Sequence, residues 1–119
     1  MKKPLIFLVS CLFLANPFLA GSAAAQDADD KIFGYGTRGC FSWIEYENMQ
    51  AAEFFFASQW LHGFVTGAAI WNEDIRPALV TQKGSDLEGW VSNYCSANPE
   101  QSIADAADQL VRDLINQSD

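Results

Sequence analysis

The sequence predicts an all-α domain, a small bundle of about four helices stapled by one disulfide. Apolar residues after Cys40 recur at steps of three and four, and no stretch of comparable quality alternates at the two-residue period of a strand. Proline-containing breaks at Arg76-Pro77 and Asn98-Pro99 divide this pattern into helix-sized pieces. Of the three cysteines, Cys11 falls in an apolar leader, which leaves Cys40 and Cys95 as the pair.

The leader, residues 1–25, reads as a secretory signal peptide. Lys2 and Lys3 are followed by the apolar run Pro4 to Ala20, and Ala23-Ala24-Ala25 offers small residues for cleavage before Gln26. Two other readings stay open: Leu8-Val9-Ser10-Cys11 resembles a lipobox, and the run is long enough to just span a bilayer. Against them, Leu12-Phe13-Leu14 continues the apolar stretch past Cys11, and Asn16-Pro17 interrupts a long helix. The expected location is periplasmic, with secretion a variant of it and no membrane span after cleavage. Disulfides persist in such a compartment.

Residues 26–119 carry fifteen acidic side chains against Lys31, Arg38, Arg76, Lys83 and Arg112, a net charge of −10. That field repels nucleic acid and anionic membranes, so neither is an expected partner, although acidity alone also serves solubility. A chain of this size supports one small core. Closing a loop of roughly 55 residues between Cys40 and Cys95 adds about 4 kcal/mol in the chain-entropy model. A reactive dithiol is the weaker reading, because no Cys-x-x-Cys spacing is present. Zinc is weaker still, since two cysteines and one histidine fall short of four ligands.

The elements follow in order. Residues 26–39 mix Asp27, Asp29 and Asp30 with Gly34, Gly36 and Gly39, the composition of a flexible acidic tail, and the helical domain is expected over 40–116. Cys40 opens a brief helix with Phe41 and Ile44 on one face and Trp43 beside them. Ala51 to about Asn72 forms the central helix. Its Phe56, Trp60, Phe64, Gly67 and Trp71 share one face, and Leu61, Val65 and Ala68 line the next. Gly63 and Gly67 lie one turn apart, which predicts close approach of a neighbouring backbone. Ala78 to Gly84 reads as loop. Ser85-Asp86-Leu87-Glu88 matches a capping box opening a third helix, whose buried face is Leu87, Trp90, Val91 and Tyr94 with Cys95 beside it. Asn98-Pro99 is then the expected cap and first residue of the last helix, where Ile103, Ala106, Ala107, Leu110, Val111, Leu114 and Ile115 form an unbroken stripe. Helix packing is thus assigned to Trp60, Gly63, Phe64, Gly67, Trp90 and Tyr94.

No catalytic constellation accompanies this fold. His62 is the sole histidine, no Ser or Cys motif supplies it with a nucleophile, and the carboxylates are dispersed. The expectation is a non-enzymatic protein with no cofactor and no metal. The aromatics carry more information: thirteen rings lie in residues 26–119. Three consecutive helical positions, Phe54-Phe55-Phe56, point around most of a helix, so one ring faces away from its own core. A client or a second protomer covers it, or a small aromatic-rich core leaves it half exposed. Phe54, Phe55, Phe56, Trp43 and Trp71 are the candidate partner-binding residues.

Two stretches resemble a known family. Trp60-Leu61-His62-Gly63-Phe64-Val65-Thr66-Gly67 and Trp90-Val91-Ser92-Asn93-Tyr94-Cys95-Ser96-Ala97-Asn98-Pro99, preceded by a cysteine near the first helix, are similar to the HdeA/HdeB-like group of small exported bacterial proteins. The resemblance implies a disulfide-stapled helical homodimer, with Cys40 and Cys95 as the pair. It implies an acid-stress chaperone that holds unfolded clients at low pH. The chain departs from that group in having few lysines and a central Gly-x-x-x-Gly helix flanked by tryptophans. The central and last helices also look like Tai-type immunity proteins, which would imply inhibition of a type VI secreted amidase toxin. An envelope-accessory role is the third expectation.

Overall fold

The computed structural model describes residues 31–118. It contains five α-helices: α1 (Cys40–Asn48), α2 (Ala52–Trp71), α3 (Arg76–Leu79), α4 (Gly84–Ala97) and α5 (Ile103–Gln117), with 3-10 turns at Gly34–Thr37 and Glu73–Ile75. No strand occurs among the described residues, where the only bridge is an isolated antiparallel pair, Gly39 with Ser102. The all-α expectation holds, with five helices rather than four. The leader, Cys11 and residues 26–30 lie outside the described residues.

The additional helix, α3, falls in the stretch expected to be loop. Pro77 sits in its first turn, where the missing N–H has no intrahelical partner to lose, and Arg76 adopts αR despite preceding a proline. Arg76 also reaches back to α2: its Nε donates to Ala69 O at 2.9 Å and its Nη2 to Ile70 O at 3.3 Å. These are the orphan carbonyls at the α2 C-terminus, where a cation is favoured.

The core draws on all four longer helices. Cys40 and Trp43 from α1, Ala57, Leu61 and Val65 from α2, Leu87, Val91 and Cys95 from α4, and Ile103, Ala106, Ala107, Leu110 and Leu114 from α5 are buried together, with Ile75 between α2 and α3. The Cys40–Cys95 disulfide joins α1 to α4 with the Cα atoms 4.8 Å apart. In α1 the inward residues are Cys40 and Trp43, with Ile44 half buried; Phe41 points outward. Trp43 therefore belongs to the core and not to an exposed binding surface.

Three local readings change. The expected tail ends earlier, because the compact unit starts at Ile32. Gly36 is buried with its backbone flat against Trp60, and a Cβ there would lie 2.1 Å from the indole ring. The Trp60 Nε1 donates to Phe33 O at 2.8 Å. Glycine that reads as flexibility in the sequence is here a requirement for close approach.

The second change is at α4, which starts at Gly84 with Lys83 as N-cap. Lysine has no side-chain acceptor, so only the return half of a capping box forms, the Asp86 carboxylate accepting from Lys83 N–H at 2.7 Å. The third is at α5, capped by Ser102 and not by Asn98. Ser102 Oγ accepts from Asp105 N–H at 3.0 Å while Asp105 accepts from Ser102 N–H at 2.9 Å, a complete box. Asn98 instead closes α4, its Nδ2 donating to Tyr94 O at 2.9 Å.

The turn between α1 and α2 is a Schellman motif. Ala51 N–H donates to Tyr46 O and Gln50 N–H to Glu47 O, with Gln50 at φ 50° in the left-handed region. Glycine is the usual residue there; glutamine adopts that conformation at a cost of about 1–2 kcal/mol.

Candidate functional site

Two surface features remain once the core is assigned, and both involve α2. The first is its outward face. Only Glu53 and His62 are ionisable among its twenty residues. Its inward side buries Ala57, Ser58, Leu61 and Val65, while Phe55 (61% exposed) and Phe56 (51%) near its start and Ile70 (63%) and Trp71 (90%) at its end are left in solvent. Phe54 turns inward instead, half buried and edge-on to Trp43 at 5.1 Å. Of the five candidate binding residues, Phe55, Phe56 and Trp71 are exposed, the first two near the start of α2 and the third at its end.

Gly63 and Gly67 lie on the same helix, and a Cβ at either would meet nothing within 4 Å. The close backbone approach expected of them is not made within this chain. Trp60 and Phe64, half buried and stacked at 5.3 Å, do serve packing, and Trp60 lies against Gly34 and Gly36 of the 3-10 turn. Trp90 and Tyr94 stack at 5.6 Å on α4, and Trp90 Nε1 donates to Asp113 on α5 at 3.2 Å.

The second feature was not singled out by sequence reasoning. Two adjoining depressions of about 420 and 460 Å³ share Glu47, Phe54 and Glu88. Gln50, Ala51, Phe55, Ser58 and Gln59 complete the first, and Ser85, Ser92 and Asn93 contribute to the second. Glu47 is held in place from below: Trp43 Nε1 donates to Ser92 Oγ at 2.9 Å, and Ser92 Oγ donates to Glu47 Oε2. Glu88 Oε1 lies 3.3 Å from His62 Nε2, which also lies 3.3 Å from Gly84 O. His62 thus orients a carboxylate and the start of α4. The groove was illegible because its residues come from three helices, and Ser58 inside an apolar helix gives no signal of its own.

Among the described residues, no group of three or more His, Cys, Asp or Glu side chains is placed to hold a metal ion. No described helix is long and apolar enough to cross a membrane. The fold and surface define a small disulfide-stapled helical domain with an exposed apolar helix face beside an acidic groove. Comparison with protein-family models, with curated proteins and with solved structures finds no match to this chain.

Proposed function

We propose that the protein is an exported, non-enzymatic protein-binding protein acting as an acid-stress holdase. The observation that carries this reading is the exposed apolar surface of α2, with Phe55 and Phe56 near its start and Ile70 and Trp71 at its end, on a helix almost devoid of charge. The resemblance of the Trp60–Gly67 and Trp90–Pro99 stretches to the HdeA/HdeB-like group supports it.

Acid has a physical route to enlarging that face. Carboxylates hold several helix starts and helix pairs: Asp86 at α4, Asp105 at α5, Glu47 beneath Ser92 and Trp43, and Asp113 between α4 and α5. Protonation removes their charge and weakens each of these hydrogen bonds. Complete protonation carries residues 26–119 from −10 to +7, counting five basic side chains, His62 and the amino terminus, so self-repulsion favours opening. The Cys40–Cys95 bond limits how far α1 and α4 separate.

Light scattering of an unfolded client, read with near-UV circular dichroism from pH 7 to pH 2, tests this. Aggregation is suppressed below about pH 3–4, where ordinary carboxylates protonate, and not at pH 7. Phe56→Ser with Trp71→Ser weakens the suppression. No suppression together with an unchanged near-UV spectrum would sink the proposal.

The exposure of this face in the folded chain also favours a second reading, a pre-formed binding module such as a Tai-type immunity protein. That reading requires a stoichiometric complex with a secreted amidase at pH 7, and lack of any such complex counts against it.

A further inference from the structure

No further inference is drawn: the strongest candidate, the exposed surface of α2 around Gly63 between Phe56 and Ile70, is an unpartnered apolar face, and nothing in the structure shows what covers it.

Discussion

Helices α2 and α5 have twenty and fifteen residues and pack against each other, yet they divide their surfaces in opposite ways. In α5 every apolar position faces inward, and Asp105, Asp108 and Arg112 occupy the outside. The Arg112 Nε donates to Asp108 at 2.8 Å, a hydrogen bond that raises the guanidinium above its ordinary value. In α2 apolar residues surround the helix, so its sequence does not state which side is core. Neighbours decide it: α1, α4 and α5 pack on the side that buries Ala57, Leu61 and Val65, while Phe55, Phe56 and Trp71 are left outside. An amphipathic helix carries its own orientation, whereas a uniformly apolar one receives it from its partners and has a face left over.

The largest effect that tests this contrast is Leu110→Ala in α5. Its side chain is almost wholly buried, so truncation should cost about 2–5 kcal/mol in urea unfolding. A loss below about 1 kcal/mol, the range of surface sites, would break the assignment of α5 as the core helix. Next is Gly36→Ala, where the new methyl group would displace Trp60; overpacking of this kind costs about 1–3 kcal/mol and should change tryptophan fluorescence. A neutral result would mean that the half-buried edge of α2 is not seated on the Gly34–Thr37 turn. The smallest effect has the opposite sign. Gly67→Ala enters open space within a helix and should stabilise the chain by about 0.5–1 kcal/mol. Destabilisation, or stabilisation accompanied by a change in sedimentation, would show that the face is covered by another copy in solution.

The same contrast explains what was legible beforehand. The stripe from Ile103 to Ile115 gave α5 and its buried side directly, because one period accounts for every apolar residue. The Cys40–Cys95 pair was legible because residues 26–119 hold two cysteines and so offer a single cross-link. Trp43 was misplaced: an indole reads equally as anchor or core, and only its hydrogen bond to Ser92 and the closeness of Phe54 settle which. Caps were misread where two chemistries compete. Asn98-Pro99 looks like a helix start, but Ser102 and Asp105 make the complete reciprocal pair, which moves the cap from Asn98 to Ser102. The role of Arg76 across the α2 C-terminus and the groove around Glu47 and Glu88 depend on side chains meeting between elements, which periodicity does not encode.

One consequence of the disulfide's position concerns the segment between α3 and α4. Lys83 is exposed there, and the only other lysine in residues 26–119 is Lys31. A lysine-specific protease cutting after Lys83 would divide the domain into a piece holding Cys40 and a piece holding Cys95, which remain one covalent molecule. The backbone pairing of Arg38 and Cys40 with Ile103 and Gln101 bridges the same two pieces a second time. The nicked protein should migrate as a single species without reductant, fall into two bands with it, and retain its helical circular dichroism until the sulfurs are reduced. Continuity of the chain through this connection is thus dispensable for cohesion, because the cross-link supplies a second route around the break.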